Sequence, residues 1–215
     1  MAGSIVVPEV AAYLDALVPD HDPLLAEMRA HGDRDHVPIV EPVTGALLEV
    51  IARSAGARRV VEVGTAIGVS TLHLARAVGE GGLVVSFEID PDRHAAAGRY
   101  LERAGFDGRT DLRLEDAGRG LAGLEPGFDM AFLDGVKKDY PQHLELALGL
   151  LRHGGLLAVD NVLLSGDVAV GRSRSHWSDQ SIADMRRFNE QLVSRDDLDA
   201  TVLPVGDGVA IAVMR

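Results

Sequence analysis

The chain has 215 residues, 47% of them hydrophobic and 25% charged, the profile of a folded soluble protein with one sizeable core. Acidic residues number 33 against 21 basic ones, a formal charge of −12, and such a surface repels phosphate backbones and argues against a nucleic-acid partner. There is no cysteine, which excludes disulfides, thiolate metal sites and cysteine nucleophiles together.

The opening stretch, MAGSIVVPEVAAYL, has no basic start before its apolar residues and does not read as a secretion signal. No apolar run approaches the ~18 residues needed to span a bilayer, so a cytoplasmic protein without a membrane partner is expected. VPEVAAYLDALV, DPLLAEMRAHG and EPVTGALLEVIARSAG carry apolar residues at helical spacing and predict an N-terminal helical cap over residues 1–57. From Arg58 the pattern changes to short strands alternating with helices. RRVVEV predicts a buried strand and VSTLHLARAVG a helix; GLVVSFEI predicts a strand, and DPDRHAAAGRYLERAG a helix capped by Asp90 with Pro91 at its first position. TDLRLE predicts a strand followed by a helical turn to about Gly123, then FDMAFLD a strand and YPQHLELALGLLRHGG a helix. LLAVDN predicts a strand, SDQSIADMRRFNEQLVSR a helix capped by Ser178, and LDATVLPVGDGVAIAVMR two strands around an Asp-Gly turn. Strands alternating with helices of this length imply a parallel sheet covered on both faces, with the final hairpin adding an antiparallel strand at an edge. The expected fold is a doubly wound α/β Rossmann-like sheet of seven strands, with residues 58–215 as its core and 1–215 forming one domain.

Open α/β sheets bind ligands beyond the carboxyl ends of their strands. Those ends carry Glu62 and Gly64, Glu88 and Asp90, Glu115 and Asp116, Asp134, and Asp160 with Asn161. One acid there would be a helix cap; acids at five successive ends point to a site. In VEVGTAIGVS, Gly64 and Gly68 let the chain turn tightly and let a ligand approach the backbone. Glu88 follows at about the spacing at which an acid reaches ribose hydroxyls. A dinucleotide fingerprint would place its first glycine where Glu62 stands, and a glutamate there favours a cationic ligand over a pyrophosphate. The pattern E-x-G-x-x-x-G, followed by an acid ending the next strand, resembles the S-adenosylmethionine site of class I methyltransferases. Thr65 and Ser70 belong to the same loop and are counted with it.

Asp134, Asp160 and Asn161 offer only oxygen, which suits a hard cation: Mg²⁺, or else Mn²⁺ or Ca²⁺. The competing reading is that the two aspartates cap the segments that follow them. FLDGVKKDY, VDNVLLSG, RRFNEQL and LPVGDGVAIAV, in that order, resemble the metal-dependent O-methyltransferases typified by catechol and caffeoyl-CoA O-methyltransferase, from about Glu41 to the C-terminus. The resemblance implies that Asp134, Asp160 and Asn161 hold the divalent ion, that Lys137 is catalytic and that Glu88 holds the cofactor ribose. It places Asp116 and Ala117 near the adenine, Val40 and Thr44 in the segment over the cofactor, and Asp134 within cofactor reach as well. It also implies an aromatic vicinal-diol acceptor and a homodimer. Asp116 has a second reading, as the cap of AGRGLAGL. Departures are confined to the pocket walls: Gly135 and Val136 replace His and Trp of the animal catechol enzyme, Val69 a usual Tyr, and Leu164 a common aromatic.

A phenol titrates near pH 10 and is a poor nucleophile at neutral pH. A dication binding both oxygens of a diol favours the phenolate and fixes it near the methyl carbon, with Lys137 the candidate acceptor of the proton. Residues 168–179 hold Arg172, Arg174, His176 and Trp177, which read either as a lid over the acceptor or as a solvated loop pinned by Trp177. The eight histidines show no metal-ligand spacing and are assigned to the surface or to satisfied core positions. A metal-independent methyltransferase of the same fold and a non-catalytic S-adenosylmethionine-binding protein are the rival readings. A nicotinamide oxidoreductase is weaker, for want of a third glycine.

Overall fold

The computed structural model describes residues 6–17 and 22–215. The first five residues, part of the stretch read against a secretion signal, lie outside that range. Its centre is a seven-stranded sheet of β1 (Arg59–Val63), β2 (Leu83–Glu88), β3 (Thr110–Leu114), β4 (Phe128–Leu133), β5 (Leu151–Val159), β6 (Leu198–Leu203) and β7 (Val209–Met214), in the order β3-β2-β1-β4-β5-β7-β6. β1 pairs in parallel with both β2 and β4, so the chain winds outward to β3 and then returns across β1. That reversal is the topological switch point, the place where open α/β sheets form their binding crevice.

β1 shows why the sheet is covered on both faces. Side chains alternate across a strand, and its buried Val61 and Val63 belong to one apolar cluster while Val60 belongs to the other. The first cluster is closed by α6 (Ala117–Ala122), α7 (Tyr140–Leu150) and α9 (Asp179–Val193). The second is closed by α2 (Pro23–Asp35), α3 (Pro42–Ser54), α4 (Val69–Ala77) and α5 (Pro91–Arg103). The expected caps are in place. Asp90 accepts from the Asp92 and Arg93 amides at 2.9 and 3.1 Å ahead of Pro91, and Ser178 accepts from the Ser181 amide at 3.0 Å. α1 (Pro8–Leu17) leaves Val10, Tyr13 and Leu17 exposed. No described helix is long and apolar enough to cross a membrane.

Three local features differ from the sequence reading. The antiparallel strand is not at the edge: β7 lies between β5 and β6 and runs antiparallel to both. The reason is covering, since VAIAVM of β7 is apolar throughout and half of it is fully buried, whereas LDATVL of β6 carries polar positions that tolerate an edge. The helix after β4 stops at Leu150, and β5 begins at once with LRHGG, where Gly154 at φ 73° and a register shift against β4 break the helical pattern. A short helix, α8 (Asp167–Val170), interrupts what reads as loop.

Candidate active site

The glycine turn after β1 is built for close approach. Gly64 and Gly68 have φ of 96° and 91°, a region that costs nothing only without a β-carbon. A β-carbon on Gly64 would stand 2.3 Å from the carbonyl oxygen of Asp134, so the ends of β1 and β4 touch through it. The amides of Gly64 and Thr65 both donate to the Phe87 carbonyl at 3.1 Å. Beside them Glu88 accepts three backbone donors: Ala66 at 2.8 Å on one oxygen, Ile89 and Asp90 at 2.9 Å on the other. A carboxylate has about four acceptor positions, so this one is rigidly aimed and keeps capacity for a further donor.

Glu62 lies beneath the loop, fully buried. One of its oxygens accepts from the hydroxyls of Thr71 (2.5 Å) and Ser86 (2.6 Å), and Ser70 contributes a third hydroxyl; the other oxygen has no partner among the described residues. Burial pushes its pKa up, opposed by the hydroxyls of Ser70, Ser86 and Thr71. Thr65 bonds the same Ser86 at 2.5 Å. Ser86 and Thr71 escape a sequence reading because each sits in an apolar element, and only the fold turns them toward Glu62. Val40, Gly64, Thr65, Ser70 and Asp134 are brought together as walls of one small cleft, with Pro38, Ile39, Ala66 and Val69. A larger surface cleft near β6, lined by Arg195, Asp199 and Arg215, holds none of the expected site residues.

Asp116 caps α6 by accepting from the Arg119 amide at 3.0 Å, and Ala117 is buried behind it. His143 of α7, not singled out from sequence, is buried within the field of Asp116 and Asp139, and burial lowers its pKa. Among the described residues its Nδ1 and the Nε2 of buried His73 lack hydrogen-bond partners, so these two histidines are not the fully satisfied core residues expected. Packing rather than spacing put them inside, and packing is invisible in a lone histidine.

At the other half of the edge, the Asp134 amide donates to Val63 and the Asp160 amide to Leu133, which lays the ends of β1, β4 and β5 side by side. Neither aspartate caps a helix; the side chain of Asp160 accepts from the Asn161 amide at 2.7 Å. Asn161 stands in the left-handed region at φ 57°. The Lys137 ammonium donates to Asp134 Oδ1 at 3.0 Å, to Asn161 Oδ1 at 2.6 Å and to the Gly135 carbonyl at 3.3 Å. Below it lies the ring of Tyr140, 5.0 Å away, whose hydroxyl donates to the Asp160 carbonyl at 2.9 Å. Tyr140 is thus a support of the cluster that sequence reasoning missed.

Electrostatically the cluster is short of positive charge. Burial pushes Asp160 well above the usual carboxylate range and the charge of Asp134 adds to this, with Lys137 pulling back. Burial raises Asp134 as well, against the pull of Lys137. Among the described residues no trio of His, Cys, Asp or Glu is disposed around a metal, so a cation here would take two carboxylates and the Asn161 amide. That donor set is all oxygen, two of its members already converge on one ammonium, and its carboxylates resist ionising unaided. The residues therefore fit a hard divalent ion.

The loop at 168–179 is tied to the body. Asp167 accepts from the Arg174 and Ser175 amides at 3.1 Å and from the Ser175 hydroxyl at 2.7 Å, while Asp179 accepts from the Ser173 amide at 2.8 Å. Trp177 is half-buried against the apolar core, and Arg172, Arg174 and His176 stay exposed.

A profile of the O-methyltransferase family matches residues 16–215. A catechol O-methyltransferase of Mycobacterium tuberculosis is 35% identical over 217 aligned positions, covering 97% of this chain and 96% of the relative. One of Niastella koreensis is 34% identical, covering 94% of each. A crystal structure of the O-methyltransferase from Bacillus cereus in complex with SAH superposes with a TM-score of 0.84 at 29% identity, over 96% of this chain and 97% of that one.

Proposed function

Because the chain belongs to the O-methyltransferase family, we propose that it moves the sulfonium methyl of S-adenosylmethionine to one hydroxyl of a catechol-like small molecule held on a divalent cation. The observation that carries this reading is the convergence of Asp134 Oδ1 and Asn161 Oδ1 on the Lys137 ammonium beside buried Asp160.

On the cofactor side, Glu88 accepts from a ribose hydroxyl, held in place by its three amide donors. Gly64 and Gly68 admit the methionyl part against bare backbone, with Val40, Thr65, Ser70 and Asp134 as walls. Ile89 is 68% exposed and Val136 54% exposed at this sheet edge, and they offer apolar surface to the adenine near Asp116 and Ala117. Glu62 acts from below, through the hydroxyl network that shapes the loop.

On the acceptor side, Asp134, Asp160 and Asn161 would hold the cation, Mg²⁺ or Mn²⁺. Bound there, it supplies charge neutralisation for the two carboxylates and stabilises a phenolate at neutral pH. Lys137 leaves its two side-chain oxygens, gives up one ammonium proton to solvent, and then as an amine takes the phenolic proton at Nζ. The freed oxygen attacks the methyl carbon in line, the carbon–sulfur bond breaks, and S-adenosylhomocysteine leaves with the sulfur electron pair. No covalent enzyme intermediate is needed, so the chain contributes position and charge.

A vicinal diol is the acceptor class that fits this reading, because its two adjacent oxygens would both be within reach of a cation held by Asp134, Asp160 and Asn161. Purified protein with S-adenosylmethionine and Mg²⁺ would be offered catechol, resorcinol or phenol, and product mass followed. Methylation of catechol alone is expected. Equal turnover of phenol would support a metal-independent enzyme, and cofactor binding without turnover of a wider acceptor panel would support a binding protein. The exposed Tyr13 and Leu17 of α1 support a homodimer covering that helix. Sedimentation velocity would then show the wild type as a dimer and Tyr13→Asp/Leu17→Asp as a monomer; a monomeric wild type would contradict this.

A further inference from the structure

The turn between β6 and β7 folds back onto the segment that follows Asp160 and Asn161. The Val162 amide donates to the Gly208 carbonyl and the Leu163 amide to the Asp207 carbonyl, both at 3.0 Å, and the Ser165 amide donates to the Asp207 carboxylate. From α9, the Asn189 amide group donates to the Val162 carbonyl at 2.7 Å. The segment so held follows an uncommon path. Asn161, Leu164 and Ser165 all lie in the left-handed region, at φ 57°, 47° and 58°. Side chains with a β-carbon stay there only where the surroundings over-determine them. The turn is also pressed against its neighbours: a β-carbon on Gly208 would meet Leu163 at 2.5 Å, and one on Gly206 would meet the Thr44 hydroxyl at 2.5 Å. One short turn therefore touches both the start of α3 and the segment carrying Asn161.

Asp207 is itself buried, 42 residues away in sequence from the amide it holds. We propose that Asp207 is a positioning residue, whose carboxylate locks the left-handed Leu164–Ser165 pair and so fixes where Asn161 presents its amide oxygen. The inference rests on the reading of Asn161 as a cation ligand, but its structural half can be tested without that reading.

Asp207→Asn keeps an oxygen acceptor of the same shape and loses the charge; Asp207→Ala loses the acceptor. In chelator-stripped protein, hydrogen exchange of the Ser165 amide is expected to quicken about tenfold or more in Asp207→Ala and to stay near wild type in Asp207→Asn. Mn²⁺ affinity, followed by electron paramagnetic resonance, should fall roughly tenfold or more in Asp207→Ala and less than about threefold in Asp207→Asn, in line with other groups that orient metal ligands. kcat should fall in Asp207→Ala while KM for S-adenosylmethionine stays. Ser165→Gly adopts a positive φ freely, so Asp207→Ala/Ser165→Gly should recover most of the lost Mn²⁺ affinity. If Asp207→Ala alone does not fold, folding of that double variant supports the proposal and its failure overturns it. Unchanged Ser165 exchange in Asp207→Ala, or an Asp207→Asn as impaired as Asp207→Ala, would overturn it too. If the wild type itself takes up no Mn²⁺, the metal reading fails, and the exchange comparison still decides the role of Asp207.

Discussion

Gly64→Ala is the substitution whose cost follows most directly from the structure. The residue sits at φ 96°, and the left-handed half of backbone space costs a residue with a β-carbon about 1–2 kcal/mol. The new methyl would also lie 2.3 Å from the Asp134 carbonyl oxygen and 2.9 Å from its carbon, both backbone atoms that cannot rotate away. The ends of β1 and β4 must therefore separate, an overpacking that adds about 1–3 kcal/mol. The sum, about 2–5 kcal/mol, lowers Tm by about 4–20 °C for a chain of this size. Gly68→Ala is the internal control, since its φ is similar but its nearest neighbour, the Ala97 β-carbon, is 3.3 Å away. It should lose mainly the backbone part. Calorimetric melts of the three proteins read the stabilities, and isothermal titration with S-adenosylmethionine reads the site. Gly64→Ala should lose most cofactor affinity, because separating the strands moves Asp134 away from the glycine turn. A Gly64→Ala melt within about 2 °C of wild type, or a larger loss in Gly68→Ala, would refute the reasoning.

Lys137→Met should slow single-turnover methyl transfer by about 10²–10⁴-fold, the usual worth of a proton acceptor, yet tighten Mn²⁺ binding because no ammonium occupies Asp134 and Asn161; unchanged or weaker Mn²⁺ binding would contradict this. Buried His73 has its pKa lowered by burial, opposed by its bond to Glu49. Its neutral form is the folded one, so its stability contribution is present at neutral pH and is lost as pH falls below the unfolded value of about 6.5. Comparing melts at pH 7.5 and pH 5.5 (about one unit either side of that value), wild type should therefore lose more Tm than His73→Gln, and equal losses would count against the assignment.

Much of the site is readable along the chain because its residues mark the places where apolar strands stop. Glu88, Asp134 and Asp160 each end a buried run, and strand ends gather at one edge in any doubly wound sheet. Gly64 and Gly68 were readable for the same reason, as a turn that needs freedom. What supports these residues was not readable. Tyr140 reaches Asp160 across 20 residues and Asp207 reaches Ser165 across 42, so each acts through a contact that exists only after folding. Glu62 stands next to the glycine turn in sequence, but only the packing of Ser86 and Thr71 shows that its side chain lies beneath the loop. The strand boundary at Leu151 was hidden because LLRHGG continues the helical spacing of α7, and the bulge at Gly154 leaves no periodic trace. The place of β7 inside the sheet depends on which of two hairpin strands is better covered, a comparison of faces rather than of patterns.

In the proposed function, Asp134, Asp160 and Asn161 hold a cation that the acceptor shares. The measurement that tests it most directly is the initial rate of catechol methylation by chelator-treated protein as Mg²⁺ is returned, for wild type and Asp160→Ala, with S-adenosylmethionine affinity measured on both. The wild-type rate is expected to rise from background to saturation by at least about hundredfold, and the Asp160→Ala protein to bind the cofactor normally but stay at background. Methylation that persists in chelator, or an Asp160→Ala protein that responds to Mg²⁺ like wild type, would contradict it.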